Sequence, residues 1–578
     1  MTESKINPFK HEYFLGYINQ VLPQYVKVHF PSSILLNGFT HFGKEFKGGL
    51  VGSFVVIEGD KFGFLGRITE LQLPESERLS LNEKAFQTSD FHPTGKVEIL
   101  LSFDLYNPFD VKKGLTAYPN IGAKVFVSSG ELVQQYMSKF GVKNGETPNT
   151  IAIGSLVSSP ETRVKINLQS IFGRHCAVVG TTGGGKSYTV SKLIESLIAT
   201  GNKAILIDAT GEYSNYANQP YCTSKILGDD CFFHYRNLSV SDLFVLLKPS
   251  GQVQQPILLE AIQTLKIVEI ATKNNKLPTA VKDGVYIKIK KEKKPYIDLY
   301  NAYANEIEKE YAEFNIQNLA QQLRRECVYD SDKFGEVLTH WGDIDKRKWD
   351  NSTSLFLRTE TLIQSTHFKS IFGFDKTGNE ETELVKILDT FFNCPDKKIL
   401  RIGFDNVGFD FQAREILANA IGKYMLNKAR KGNFNPSNNV KNKPVVLLID
   451  EAHQFLNKKV KDEYFESVNL DAFDSIAKEC RKYGLFLCIA TQMPRDIPKG
   501  TLSQMGTFIV HRLINFNDKE AISNACSTAN KNTLDFLPIL GEGEAVVTGV
   551  DFPMPIIMKF EKPIEEPNSE TPKLKLNG

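Results

Sequence analysis

What the chain lacks narrows its class first. No CxxC pair and no partnered His-x-x-x-His occurs in the 578 residues, and the eight cysteines stand apart at 176, 222, 231, 327, 394, 480, 488 and 526. Neither a zinc framework nor a disulfide lattice is encoded, which favours a reducing cytoplasm. No run approaches 18 consecutive apolar residues, and the opening MTESKINPFKHEYF has no basic stretch followed by an apolar one. A membrane span and a signal peptide are therefore not expected. No internal repeat of fixed period is present, so solenoids and propellers drop out. Charge of one sign is also missing: 69 Lys plus Arg stand against 67 Asp plus Glu, a net +2. A protein that coats DNA through a globally basic surface is excluded, and any nucleic-acid contact must be local.

What is present reads as a large globular chain. With 41% apolar and 24% charged residues it sits near the globular average. Its length would accommodate about four domains at roughly 150 residues each, or one large core with an insertion. Residues 1–150 carry short Val-, Ile- and Phe-rich runs such as YVKVHF (25–30), SFVVIEG (53–59) and KVEILLSFDL (96–105). Several alternate, as half-buried strands do, which predicts a small β-barrel or, equally in pattern, a sandwich. From 151 to 235 and again from 385 to 560 the chain alternates buried strands with helices: CAVV (176–179), KAILIDA (203–209), KILRIGF (398–404), PVVLLID (444–450), LFLCIAT (485–491) and TFIVHRL (507–513). That grammar predicts a doubly wound α/β core. Between them, 236–384 has helical periodicity and reads as a mostly helical insertion, while the polar, Pro-spaced 561–578 reads as a flexible tail.

The chemistry sits at strand ends. GTTGGGKS fits G-x-x-x-x-G-K-[ST], with a strand before it and an amphipathic helix after it. Gly180, Thr181, Thr182, Gly183, Gly184, Gly185, Lys186, Ser187 and the following Tyr188 are the nucleotide-binding candidates. Their backbone N–H groups can wrap a triphosphate because no Cβ blocks the approach. Lys186 would hold the β- and γ-phosphates of ATP and Ser187 would ligate Mg²⁺. In PVVLLIDEAH the apolar strand delivers Asp450 to the Mg²⁺ shell and Glu451 to the attacking water. In CIATQMP, Gln492 is placed either to bond the γ-phosphate or to cap its strand. Asp208 and Glu212, just past a strand in ILIDATGEYS, serve equally as active-site carboxylates or as turn residues. Arg481 and Arg512 flank core strands and are candidates for stabilising phosphoryl charge. For DNA, the densest local charge is VYIKIKKEKKPY, with Lys288, Lys290, Lys291, Lys293 and Lys294; a run of this kind is more often a solvated loop.

Taken together, these segments resemble the HerA branch of the HerA/FtsK family of P-loop DNA-pumping ATPases. GRITEL lies in a β-rich segment similar to the HAS-barrel that precedes the HerA motor. DATGEY, LLIDEAH, the stretch from CRKYG to ATQMP, and LPILGEGEAVVTG with PMPIIMKF follow in the family's order. The resemblance implies a RecA-like core in a homo-hexamer, ATP at subunit interfaces and duplex DNA through the pore. It assigns Lys186, Ser187, Asp450 and Glu451 as Walker residues, Gln492 as sensor and Arg481 as the arginine supplied across the interface. Cys480 and Met493 depart from the pattern, where glycine and arginine are common.

The implied function is an ATP-dependent DNA translocase or helicase. It would work with a separate effector, such as a nuclease or a sirtuin-like NADase, in antiphage defence or DNA-end processing. An ATPase scaffold that switches a partner without net translocation, and a motor for DNA transfer or secretion, are the alternatives.

Overall fold

The computed structural model describes residues 7–41, 44–46, 48–75, 91–106, 111–113, 117–139, 150–332, 338–378, 380–432, 434, 444–456, 459–460, 468–526 and 531–569. The chain divides into two units, Met1–Gly201 with Phe486–Pro567, and Asn202–Leu485 with Asn568–Gly578.

The first unit begins with strands β1 (Phe14–Val21), β2 (Tyr25–His29), β3 (Phe54–Ile57), β4 (Phe62–Gln72), β5 (Thr94–Asp104) and β6 (Lys124–Val127). Their order β2-β1-β6-β3-β4-β5 closes by antiparallel pairing of β5 with β2. The sequence left barrel and sandwich open, and this pairing makes a closed barrel. Alternation builds its interior: in β2, Val26 and Val28 are buried while Tyr25, Lys27 and His29 stay partly exposed. Leu15, Val55, Phe64, Val97 and Val125 converge on the same core. Strand β1 is poorly legible because Gly16, Asn19 and Gln20 interrupt its pattern. Gly16 is required nonetheless, since a Cβ there would lie 2.3 Å from the carbonyl oxygen of His29.

After α1 (Gly130–Lys139) come β7 (Thr150–Leu156), β8 (Arg163–Asn167), β9 (Cys176–Val179), β10 (Lys203–Asp208), β11 (Cys222–Ile226) and β12 (Ile399–Gly403). These are followed by β13 (Val445–Ile449), β14 (Leu485–Thr491), β15 (Thr507–Val510), β16 (Glu544–Gly549) and β17 (Ile556–Phe560). In the first unit β9 runs parallel to both neighbours, β14 and β15. Beyond β15 the sheet continues antiparallel through β16, β17, β7 and β8. In the second unit β10 lies between β12 and β13, with β11 outside β12, and all pairings are parallel. Every residue of β9, β12, β13, β14 and β15 is buried, which is why these strands read as apolar runs, interrupted internally by Arg401 in β12, whereas a barrel strand such as β2 alternates. The result is the mixed α/β, RecA-like P-loop class with an N-terminal barrel that the sequence predicts.

Helix α2 (Lys186–Ala199) follows β9 and buries Val190, Leu193, Ile194 and Leu197. The segment expected to be a flexible tail departs from that expectation through residue 567. Glu195 on α2 accepts the backbone N–H groups of Ile564 and Glu565, and Tyr188 donates its hydroxyl to Glu566 at 3.0 Å. A carboxylate satisfying two backbone donors holds what polarity alone would leave loose. Residues 570–578 lie outside the described residues.

The helical segments of the second unit include α3 (Gly251–Lys273), α4 (Leu319–Glu326), α5 (Lys346–Gln364) and α6 (Ala413–Arg430). Here the reading of Lys288 as a DNA contact is corrected. Its side chain is fully buried and its ammonium pairs with Glu260 at 2.6 Å and with the buried Glu326. The rings of Tyr296 and Trp341 lie 4.7 and 5.2 Å away. Tyr286 and Lys288 are both buried at a spacing of two, so the period of the extended chain turns the lysine inward with the tyrosine. Burial opposes its charge, but the Glu326 and Glu260 carboxylates outweigh this and hold the ammonium above its ordinary pKa. Lys290 pairs with Asp343 at 3.1 Å and Lys293 with Asp330 at 2.9 Å, which leaves Lys291 and Lys294 as the exposed lysines of the run without an ion pair among the described residues. Lys288→Met removes the cation that faces the buried Glu326 and is expected to cost about 3–5 kcal/mol, read as a lower denaturant midpoint. Lys291→Ala is expected to leave that midpoint in place, and equal midpoints for the two variants would contradict the assignment.

Candidate nucleotide site

The glycine loop is shaped by three different demands. Gly183 and Gly185 take left-handed backbone, with φ of 75° and 98°, which L side chains rarely adopt. Nothing of the protein lies within 4 Å of where a Gly183 Cβ would stand, so that position faces the open concavity. At Gly185 a Cβ would come within 2.9 Å of the Gly543 Cα, and Gly543 donates its N–H to the Gly184 carbonyl at 3.3 Å. At Gly180 it would come within 2.6 Å of the His511 Cβ. Lys186 and Ser187 open helix α2, whose N-terminal N–H groups present partial positive charge. A loop with no room for a Cβ at Gly180 or Gly185, ending in a lysine and a hydroxyl at a helix start, fits a triphosphate with a divalent cation.

His511 was not singled out by the sequence, although a histidine ending the buried run TFIV was the available signal. It is fully buried. Its backbone N–H donates to the Val179 carbonyl at 2.7 Å. Its Nδ1 lies 2.9 Å from the Glu544 carbonyl oxygen and its Nε2 2.9 Å from the Thr189 hydroxyl. A carbonyl can only accept, so Nδ1 carries the hydrogen and Nε2 accepts from Thr189. The neutral ring thus ties α2 to the turn that contacts Gly184 and Gly185. Burial, with a smaller push from the Lys186 charge, lowers its pKa to about 4.

Two of the expected strand-end groups meet this loop. Thr182 donates its hydroxyl to the Gln492 Oε1 at 2.6 Å, and Gly180 donates its N–H to Thr491, the last residue of β14. Arg512 contributes its carbonyl, which accepts both the N–H and the hydroxyl of Thr181 at 3.1 and 3.2 Å; its side chain is exposed.

The acidic motif lies in the second unit. The strand β13 is wholly buried, and Asp450, also buried, donates its N–H to the Ile207 carbonyl of β10. Glu451 adopts left-handed backbone at φ 46° and is buried, with His453 Nδ1 3.2 Å from its Oε2. Asp208 takes the turn role of its two expected ones: it accepts the N–H groups of Gly211 and Tyr213 at 2.9 and 3.1 Å and the Arg401 Nε at 2.7 Å. Burial pushes its carboxyl above the ordinary range against the pull of Arg401. This clamp sets the turn that carries the half-buried Glu212. Arg481 is exposed.

Arg401 and Arg414 were also missed. Arg414 bonds the carbonyls of Ala209, Phe404 and Val407 and the Gln454 Oε1, knitting together the chain past β10, β12 and β13. The signal for Arg401 was a charge inside the apolar run KILRIGF, since a buried arginine needs a designated partner.

His511 gives a pH signature. Its folded pKa is depressed from 6.5 to about 4, so its contribution is complete above pH 6.5 and is lost as pH falls, when only the unfolded chain takes up the proton. The difference in unfolding midpoint between the parent and His511→Gln is expected to narrow from pH 7 to pH 4.5. A constant difference would contradict the neutral buried ring.

Two family models match this chain: Helicase HerA, central domain, over residues 151–352, and Helicase HerA-like C-terminal over residues 434–572. Together they cover more than half of it. The chain is 24% identical to a probable helicase of Methanocaldococcus jannaschii, over 77% of this chain and 75% of that one. It is 22% identical to the DNA double-strand break repair helicase HerA of Pyrococcus furiosus, over 76% and 73%. The HerA of Saccharolobus solfataricus is 23% identical over 88% and 87%. Among solved structures, VirB4 of Thermoanaerobacter pseudethanolicus overlaps at a TM-score of 0.44 and 13% identity, over 74% of this chain and 99% of that one. With both HerA models matched around an intact glycine loop, the chain belongs to the HerA helicase family and is a P-loop ATP hydrolase.

Proposed function

We propose that this chain is the subunit of a hexameric, ATP-driven DNA translocase or helicase, cytoplasmic, that works with a separate effector enzyme. The effector is a nuclease or a sirtuin-like NADase, and the setting is antiphage defence or DNA-end processing. The observation that carries the motor reading is the bond between Thr182 and Gln492. A strand-end amide already engaged with the phosphate loop can exchange that partner when a γ-phosphate arrives or leaves, which couples hydrolysis to movement of β14.

The chemistry follows from the residues. Lys186 neutralises the β- and γ-phosphates, and the loop N–H groups fix the chain of phosphates for in-line attack. Ser187 and Asp450 would hold Mg²⁺, which neutralises developing phosphate charge. Glu451, oriented by the His453 contact and by its left-handed turn, accepts the proton of the attacking water. The exposed Arg481 suits a guanidinium donated to a neighbouring subunit, and Arg512 is the second candidate. Tyr188, one residue past Ser187, continues the binding surface, and Glu212 stands on its clamped turn as a further carboxylate. Duplex DNA through the pore would meet sequence-independent contacts, for which Lys291 and Lys294, with the paired Lys290 and Lys293, are the remaining candidates in the insertion.

Hydrolysis is expected to rise on addition of duplex DNA and to vanish in Lys186→Ala, while Glu451→Gln retains ATP without turning it over. Arg481→Ala is expected to lower kcat by about 10³-fold or more with little change in nucleotide affinity. Sedimentation with ATP and Mg²⁺ should show a six-subunit species. Hydrolysis at one rate with and without DNA would remove the translocase reading, and a purely monomeric species would remove the ring.

A further inference from the structure

The helical insertion carries a cavity that the ATPase reading does not use. It lies between α4 and α5, has a volume of ≈ 470 Å³, and is lined by Gln321, Arg324, Arg325, Trp349, Glu360 and Gln364 among others. That volume is within the range of small-molecule sites, about 300–1,000 Å³. The walls follow from helical spacing. Gln321, Arg324 and Arg325 fall at i, i+3 and i+4 on α4, and Trp349 and Glu360, eleven residues apart, return to one face of α5 after three turns.

Two of the lining groups are locked and one is not. Arg324 is held by Glu360 at 2.8 Å, and its guanidinium lies 5.5 Å from the ring centroid of the buried Phe356. Trp349 stands edge-on to the same ring, with centroids 5.5 Å apart and planes at 70°. Phe356 therefore fixes a guanidinium on one wall and an indole on the other. Arg325 is half-buried and makes no ion pair or hydrogen bond among the described residues. Glu360 is matched by Arg324, so Arg325 leaves the cavity one positive charge in excess. An unpaired guanidinium selects an anion whose oxygen acceptors match its planar N–H donors. The half-buried indole beside it offers a stacking face, and the glutamine amides, each with donor and acceptor, match the mixed edge of a nucleobase.

We propose that this cavity binds a nucleotide unit, with its phosphate on Arg325 and its base against Trp349, either as a free nucleotide or within a single strand of nucleic acid. The proposal rests on the insertion's own side chains and not on the ATPase reading, so its failure leaves that reading intact.

The chain has two tryptophans, and Trp341 is buried in the cluster around Tyr286 and Lys288. Trp341 is thereby shielded from ligand, and quenching that disappears in Trp349→Phe reports on Trp349. The full-length chain carrying Lys186→Ala, to suppress the phosphate loop, is titrated with AMP, with an oligothymidylate and with inorganic phosphate. Saturable quenching by AMP or by the oligomer is expected, absent in Trp349→Phe and weakened about tenfold or more in Arg325→Gln. Quenching by the oligomer alone assigns the strand as the source, and quenching by AMP alone assigns the free nucleotide; either supports the site. No quenching by AMP or the oligomer, an unchanged titration in Arg325→Gln, or equal quenching by phosphate alone would overturn it.

Discussion

The contact on which the nucleotide site depends is the neutral imidazole of His511 beneath the glycine loop. One ring nitrogen donates to the Glu544 carbonyl and the other accepts from Thr189. Its Cβ occupies the space that a side chain at position 180 would need. The ring therefore joins the loop after β9 and the first turns of α2 to the 541–544 turn, more than 300 positions later, that touches Gly184 and Gly185. A charged ring is disfavoured here, because burial penalises the imidazolium and it would add a second cation near Lys186. The loop's left-handed glycines are costly in conformational entropy, and these contacts from β15 and β16 hold them in one shape before nucleotide arrives.

The same economy recurs in the second unit. Asp208, Arg401 and Arg414 fix the turns that follow three parallel strands. Buried charges in this arrangement are retained because each has a partner fixed by geometry, and removing one partner exposes the other to the full desolvation cost. Lys288 with Glu326 is the insertion's version of that rule.

How much was legible depends on how local each cause is. The phosphate loop, the LLIDEAH strand and the buried runs of the α/β core were legible because strand, turn and helix signals lie within a few residues of one another. The choice between barrel and sandwich was not, since closure depends on β5 meeting β2 some 70 positions away, a pairing that alternation does not specify. His511 escaped notice for a similar reason: its importance arises from Gly180 and Thr189, more than 300 positions earlier. Lys288 was misread because composition counts charges without their phase, and the two-residue period that buries Tyr286 buries it too. In the segment after residue 560, expected to be flexible from its polarity, Glu195 supplies an acceptor for the backbone of Ile564 and Glu565, a contact that composition does not reveal. The nearly neutral net charge keeps its force: with Lys288 withdrawn and two of its neighbours paired, DNA contact through the 288–294 run would rest on Lys291 and Lys294.

The central claim is that Gln492 reads the phosphate loop. It is tested most directly by determining the structure of the full chain twice, once with a non-hydrolysable ATP analogue and Mg²⁺ and once with ADP. The account predicts that Gln492 gives up Thr182 for the γ-phosphate region in the first state and regains it in the second. A Thr182–Gln492 bond unchanged between the two states would contradict it.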